Sequence, residues 1–267
     1  MTSFPLHVVI ISWGSLDPAA AAIAKAMAPV ADRLTVLHSA SVAGPAESSA
    51  DRPGHWITLP ENAFFGPKFA TALAETAADA GMLLIHADTS FDDWPGLVAR
   101  CRWAFANWPD LGVWGPDFTN TPWRTDWVRL LNMPGHPEVV SVAQTDGIIF
   151  ALAPAVLNRL RQLDLSGNNL GWGIDWAAIG FSLATGRLVL RDLSLVVQHP
   201  ASRGYMSDLA LDQMRSILAA LPLAEQTQVL LLMEFCEKRQ GAGRPLAQKL
   251  WKTAFGRKRR PLSSLFD

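Results

Sequence analysis

The segment "LLIHADTSF", Leu83 to Phe91, brings a carboxylate to the end of an apolar run. An ionised aspartate loses hydration in such a position, so Asp88 needs a cation or hydrogen-bond donors to stabilise its charge. This pattern favours a ligand-binding role for Asp88. The alternative is a structural role, in which Asp88 caps the helix predicted to begin near Asp92.

Two other residues stand where predicted elements begin or end. Asp175 follows the Gly- and Asn-rich loop "SGNNLGWGID" at the start of a helix, where a carboxylate either acts as a general base or only interacts with the helix dipole. His199 ends the apolar strand "RLVLRDLSLVVQHP" and either binds a metal or phosphate or is satisfied by local hydrogen bonds.

The elements that position these residues alternate between strand and helix. Four apolar runs, "HVVIISW", "LTVLHSA", "HWITLP" and "MLLIHAD", predict strands, and Ala-rich segments after the first and third predict helices. This order predicts an α/β fold with a mostly parallel sheet flanked by helices. Ligands bind such sheets beyond the carboxyl ends of the strands, which is where Asp88 falls. Residues 116–138 are expected to form an irregular, Trp-rich excursion.

Composition excludes several classes of protein. With 267 residues, 49% of them hydrophobic, and a net charge of -1, the chain is typical of soluble globular proteins. No apolar run approaches the roughly 18 residues of a membrane span, and the N-terminus is expected to be a strand instead of a signal peptide. Cys101 and Cys236 lie far apart, which argues against a disulfide framework or zinc cluster and favours a cytoplasmic setting.

The charge is unevenly distributed. Nine basic residues and no acidic one lie between Lys238 and Arg260, so the rest of the chain carries about -10 against the total of -1. An acidic body and the absence of a nucleic-acid-binding motif argue against nucleic acid as a partner.

Taken in order, "HAD", "GWGID" and "VVQHP" resemble the nucleotide-sugar-dependent glycosyltransferases of the GT-A fold, most closely the family 2 type. The resemblance covers roughly Pro5 to Pro200. It implies a GT-A (Rossmann-like) domain over residues 1–200, followed by a helical C-terminal extension with a basic tail over residues 201–267. "ENAFFGPKFATAL" resembles the segment that precedes the metal strand in this family, with Asn62 and Gly66 in register.

The resemblance also implies the site residues. "HAD" keeps only the last carboxylate of a DxD-type motif, Asp88, which would hold a divalent metal ion, Mn²⁺ or Mg²⁺, together with His199. Asp175 would be the catalytic base, although Ile174 replaces the glutamate that usually precedes it. The residues assigned to donor binding are Ser12, Asn62, Lys68, His86 and Asp88, and those assigned to the acceptor are Asp146 and Trp172. Asp146 in "TDGIIF" has a plainer alternative as a strand terminator.

The implied function is transfer of a sugar from a nucleotide-diphosphate donor to a glycan or lipid-linked acceptor. No QxxRW-type signature appears, so a single, non-processive and inverting transfer is expected. The lost carboxylate and glutamate leave open a non-catalytic module that binds nucleotide-sugars or glycans. In the tail, Leu246, Leu250 and Phe255 fall near one helical face among basic residues. This pattern predicts either peripheral contact with an anionic membrane at its inner face or a solvated run of charge.

Overall fold

A computed structural model of the chain describes residues 4–40, 52–200 and 207–242. They form a nine-stranded sheet with the strand order β3-β2-β1-β4-β8-β5-β9-β7-β6. The strands are β1 (Leu6–Ile11), β2 (Arg33–Ala40), β3 (His55–Pro60), β4 (Gly81–His86), β5 (Leu111–Phe118), β6 (Arg129–Met133), β7 (His136–Val142), β8 (Ile149–Leu152) and β9 (Leu188–Val197). The helices are α1 (Asp17–Met27), α2 (Phe65–Glu75), α3 (Trp94–Asn107), α4 (Thr125–Val128), α5 (Pro154–Leu160), α6 (Ile174–Ala184), α7 (Ser207–Ala219) and α8 (Leu223–Ala242).

The first four strands pair in parallel, as the alternating sequence pattern predicts. β1 lies between β2 and β4, and all six of its residues are buried, which explains its uninterrupted apolar sequence. Helices return the chain after β1, β3 and β4, so the carboxyl ends of β1 and β4 lie side by side, with Ile11 opposite His86.

The expectation of a mostly parallel sheet is wrong for the C-terminal half, where the sheet is mixed. β8 enters between β4 and β5 and pairs antiparallel with both, and β7 pairs antiparallel with β9 and β6. Parallel neighbours need a long return connection, usually a helix. Between β5 and β8 the one helix is α4, which has four residues.

The predicted irregular excursion is partly regular. Residues 129–142 form the hairpin of β6 and β7 at the edge of the sheet, and its turn contains Gly135 with a φ of 74°. Glycine adopts this left-handed conformation without the steric penalty that a Cβ atom would impose. The hairpin was missed because its strands are partly exposed and contain Pro and charged residues that mask the alternation.

The expected helical extension is observed as α7 and α8, which pack against α6. A Cβ atom on Gly180 of α6 would meet Val229 at 2.6 Å, so glycine permits the close approach of α8. Arg159 and Glu225 form an ion pair of 2.8 Å between α5 and α8 with little exposure of either side chain. The boundary at residue 200 remains a prediction, and the tail beyond residue 242 lies outside the described residues. No helix in the described ranges is long and apolar enough to cross a membrane.

Candidate active site

Asp88 and His199 meet at one end of the sheet. Residues Ser90 and Gln198 form an antiparallel bridge, in which each backbone N–H donates to the other carbonyl at 3.0 Å. The bridge brings the chain after β4 alongside the chain after β9. As a result, His199 Nε2 lies 3.4 Å from Asp88 Oδ2.

The two side chains stabilise each other's charged forms. Burial by itself raises the pKa of Asp88, but the hydrogen bond and the charge of His199 lower it below its ordinary value. Burial by itself lowers the pKa of His199, but the hydrogen bond and charge of Asp88 and, to a smaller extent, the charge of Asp146 raise it above its ordinary value. The alternative role of Asp88 as a helix cap is wrong: Asp93 caps α3 by accepting the N–H of Gly96 at 2.9 Å.

A cleft of about 270 Å³ opens at this pair. Asn120, in the loop after β5, donates its side-chain N–H to the carbonyl of His199 at 2.9 Å and so ties this loop to the end of β9. The residues that line the cleft are Asp88, Ser90, Thr119, Asn120, Gln198, His199 and Pro200. All but Pro200 carry polar side chains, which suits a polar ligand.

His86 ends β4 among aromatic rings. Its ring lies 5.5 Å from that of Trp13 and 5.0 Å from that of Phe65, measured between centroids. Burial lowers the pKa of His86 to about 4, so the imidazole is neutral at pH 7. Its Nε2 is buried and has no hydrogen-bond partner among the described residues.

Lys68 is fully buried beside the same cluster. Its ammonium donates to the carbonyl of Ser12 at 2.6 Å and lies 5.4 Å from the centre of the Trp13 ring. Burial lowers the pKa of Lys68 to about 8, with the charge of Asp17 opposing this shift. A largely charged lysine with one hydrogen-bonded carbonyl retains donors for an anionic ligand.

Ser12 and Asn62 have structural contacts. Ser12 is buried and donates its hydroxyl to Asp17 at 2.7 Å. Asn62 is exposed, and its carbonyl accepts from Asn169 at 3.1 Å.

A Cβ atom on Gly66 would lie 1.6 Å from the Asn168 carbonyl oxygen, so glycine is required where α2 meets the 168–169 loop. This contact joins the start of α2 to the loop that precedes α6.

Asp175 lies in the first turn of α6 and uses both carboxylate oxygens. Oδ1 accepts the backbone N–H of Trp176 at 2.9 Å, and Oδ2 accepts the side-chain N–H of Gln144 at 3.0 Å. Burial raises the pKa of Asp175 to about 6, and the charge of Asp146 adds to this effect. Asp175 is therefore ionised at pH 7 and basic enough to accept a proton.

Asp146 occupies a strained turn on the connection between β7 and β8. Its φ is 71°, the one positive value among non-glycine residues in the described part of the chain. Oδ2 accepts the hydroxyl of Thr121 at 2.6 Å, and burial raises the pKa of Asp146. Because such strain clusters at functional sites, the turn supports a role beyond ending a strand.

These residues form one connected group. The charge of Asp146 acts on both His199 and Asp175, so Asp146 links the cleft to the α6 terminus. Trp172 lies in the loop before α6, partly buried, and its carbonyl accepts from Asn168 at 2.8 Å. Its predicted contact with an acceptor stays a prediction.

Whether the site can hold the implied divalent metal depends on the donor atoms that it contains. Oδ1 of Asp88 is buried without a hydrogen-bond partner among the described residues, and His199 stands beside the other oxygen of the same carboxylate. Across residues 4–40, 52–200 and 207–242, no group of three or more His, Cys, Asp or Glu is placed to hold a metal. One carboxylate and one imidazole supply at most two ligands, so an ion held here would need ligand phosphates and water to complete its coordination, as Mg²⁺ commonly does.

Sequence reasoning missed two buried residues that shape the site. Gln144 binds Asp175, and Arg191 on β9 donates to the carbonyl of Gln144 at 2.9 Å and to that of Trp123 at 2.8 Å. Both side chains are fully buried. The sequence signal for Arg191 is the charged pair of Arg191 and Asp192 within a largely apolar strand, since buried charges require partners.

No family model matches the sequence, and no curated protein matches it. Solved structures do match the fold. The crystal structure of GalNAc-T7 with UDP, GalNAc and Mn²⁺ has a TM-score of 0.56 and 11% identity, and covers 95% of this chain. The crystal structure of S. aureus TarS 1-349 in complex with UDP has a TM-score of 0.55 and 10% identity, and covers 91% of this chain.

This chain spans 55% of the GalNAc-T7 chain and 76% of the TarS chain. At these identities the likeness establishes the fold alone. The chain has a GT-A-type α/β fold, which confirms the fold that the sequence resemblance implied.

Proposed function

We propose that this chain is a glycosyltransferase that moves a sugar from a nucleoside-diphosphate donor to a glycan or lipid-linked acceptor. The observation that carries the proposal is the pair of Asp88 and His199 at the carboxyl ends of β4 and β9, beside a polar cleft. The GT-A-type fold supports it, because two proteins that share this fold were solved with UDP.

On the donor side, Asp88 and His199 would hold a divalent cation, Mn²⁺ or Mg²⁺. When bound, the cation supplies positive charge that neutralises the departing diphosphate. Lys68 adds a second positive charge on the side of β1. Ser12, Asn62 and His86 complete the donor-binding set that we assign.

On the acceptor side, Asp175 takes the proton of the attacking hydroxyl. The hydroxyl oxygen forms a bond to the anomeric carbon, and the bond from that carbon to the diphosphate oxygen breaks. The electron pair of the broken bond leaves with the nucleoside diphosphate. Attack opposite the leaving group inverts the anomeric configuration. Asp146 and Trp172 are assigned to acceptor binding, and transfer is single instead of processive.

A second candidate is a non-catalytic module that binds nucleotide-sugars or glycans. His86 in place of the first carboxylate and Ile174 in place of the glutamate favour it. The two candidates differ in turnover, which a panel of nucleotide-sugars with Mn²⁺ measures directly.

The full chain is incubated with each nucleotide-sugar, and both thermal stabilisation and released nucleoside diphosphate are recorded. An enzyme gives stabilisation and release with the same donor, and release that increases with an acceptor. Stabilisation without release by any donor supports the binding module instead. Neither signal with any donor contradicts both the transferase and a module that binds nucleotide-sugars.

A further inference from the structure

Gln144 makes three side-chain hydrogen bonds in a fully buried position. Its Oε1 accepts the backbone N–H of Thr145 at 2.8 Å and that of Asp146 at 3.1 Å. Its Nε2 donates to Oδ2 of Asp175 at 3.0 Å. One side chain therefore holds both the strained Asp146 turn and the carboxylate at the start of α6.

These partners fix the orientation of the amide. A flipped amide would point its N–H groups at two backbone N–H donors and its oxygen at a carboxylate. Gln144 therefore presents a donor to Asp175. Its own backbone is anchored as well, because the carbonyl of Gln144 accepts from the fully buried Arg191 at 2.9 Å.

Asp175 is held at both oxygens as a result. The N–H of Trp176 fixes Oδ1 and Gln144 fixes Oδ2, so rotation of the carboxylate breaks at least one hydrogen bond. The charged group that acts on Asp175 is Asp146, which in turn faces Arg191 and His199. The bond from Gln144 favours the ionised carboxylate, whereas burial and Asp146 oppose it.

We propose that Gln144 is a positioning residue for transfer. It orients the Asp175 carboxylate and holds it at a fixed position relative to the Asp146 turn. This inference rests on the proposed function, because it gives Asp175 the role of the base. It predicts that the geometry and the protonation of Asp175 both depend on a residue that touches no substrate.

The test is the pH profile of transfer by Gln144→Met, which keeps the length of the side chain and removes its hydrogen bonds. The low-pH limb of kcat/KM is expected to move up by about one pH unit, since a hydrogen bond that favours the ionised carboxylate is lost. kcat falls by roughly ten-fold or more because the base is misplaced, and the Kd of the donor stays unchanged. Gln226→Met is the matched control, since it removes two amide hydrogen bonds to α7–α8 carbonyls far along the chain. The Gln226→Met variant should not change the pH midpoint of the low-pH limb of kcat/KM.

Gln144→Glu keeps the proposal testable if the Met variant does not fold. Glutamate still accepts both backbone N–H groups, but its second oxygen faces the Asp175 carboxylate. Repulsion between the two carboxylates raises the pKa of Asp175, so the low-pH limb of kcat/KM should move to still higher pH. If a folded Gln144 variant has the same midpoint for the low-pH limb of kcat/KM as the wild type, the proposal is wrong. NMR titration of the Asp175 carboxylate reads the same shift without turnover. If the wild-type chain transfers no sugar, the proposed function fails, and this titration still decides whether Gln144 controls Asp175.

Discussion

His199 Nε2 lies 3.4 Å from Asp88 Oδ2, across the bridge of Ser90 and Gln198 that joins the ends of β4 and β9. The pair places a carboxylate and an imidazole at the mouth of a polar cleft. Neither residue is needed there to complete the core, because both side chains remain partly exposed. The pair is therefore the first target for separating donor binding from folding.

Asp88→Ala should abolish metal-dependent binding of nucleoside diphosphate while the thermal unfolding midpoint changes little. The substitution removes the one carboxylate among the described residues that line the cleft and leaves the apolar core intact. Calorimetric titration of UDP with and without Mn²⁺ measures the effect. Asp92→Ala, an exposed acid four positions on, is the control and should bind as the parent does. Equal binding by Asp88→Ala and the parent would show that the metal assignment is wrong.

Asp175→Asn should bind donor nearly normally and lose transfer by a factor on the order of 10² to 10⁴, because an amide cannot accept the proton of the acceptor. The measurement is kcat for transfer beside the Kd of the donor. In the parent, transfer should fall as pH drops below about 6, since protonation of Asp175 removes the base. Transfer by the variant at the parental rate would remove Asp175 from the mechanism.

The same variant makes a prediction about stability. The pKa of Asp175 is raised to about 6 in the folded chain from an ordinary 3.8. The folded state therefore binds the proton more tightly, and the free energy of unfolding falls as pH rises from about 4 through about 6. Asparagine removes this loss, which is at most about 3 kcal/mol for such a shift.

Urea unfolding at pH 5 and pH 7.5 tests it. His7 and His86, whose pKa values burial lowers to about 4, stabilise the fold as pH rises over this range in both proteins, so they cancel in the comparison. The change in unfolding free energy between the two pH values should be more favourable for Asp175→Asn than for the parent. An identical change in both proteins would contradict the raised pKa.

Arg191→Met should destabilise the fold strongly. The fully buried guanidinium donates to the carbonyls of Trp123 and Gln144 and pairs with Asp117 at 3.4 Å, so its removal takes a buried donor from both carbonyls and the cationic partner from Asp117. The expected loss in unfolding free energy is about 3 to 5 kcal/mol. The control is Arg124→Met, whose ion pair with Asp126 is exposed and contributes little. Similar losses in unfolding free energy for both variants would show that the buried contacts of Arg191 contribute no more to stability than an exposed ion pair does.

The sequence predicted the N-terminal half of the fold better than the rest. β1 to β4 are apolar runs, with α1 between β1 and β2 and α2 between β3 and β4, so the local pattern predicts parallel pairing. The insertion of β8 between β4 and β5 depends on contacts between distant segments, and no local pattern encodes it. The β6–β7 hairpin escaped prediction for a related reason, because its edge strands lack a clean alternation.

The same division applies to the candidate site. Asp88 and His199 follow apolar runs at strand ends, and Asp175 follows a Gly-rich loop at the start of α6, so the sequence marks all three positions. Gln144 and Arg191 act through partners that only the tertiary structure brings near. Neither could be paired with its partner from the sequence, although the charged pair of Arg191 and Asp192 within β9 signals that partners exist.

The basic tail is predicted to hold the chain at anionic membranes. Arg239 of α8 donates to the carbonyls of Asp126 and Arg129 at 3.3 and 3.1 Å, so a truncation that preserves the described fold ends at Ala242. This truncation removes seven basic residues, Arg244, Lys249, Lys252, Arg257, Lys258, Arg259 and Arg260. Each contributes about 1 kcal/mol near an anionic leaflet. The full chain should therefore co-sediment with anionic vesicles and the truncated chain should not.

Salt and charge distinguish electrostatic attachment from insertion of the apolar residues of the tail. Raising the salt from about 0.1 to 0.5 M should release the full chain, because screening shortens the range of the attraction. Neutral vesicles should bind little of either protein. A full-length variant with the seven basic residues changed to glutamine keeps Leu246, Leu250 and Phe255, and should behave like the truncated chain. Equal binding of the full and truncated chains to anionic vesicles, or no binding by either, would contradict a membrane role and leave the tail as a solvated run of charge.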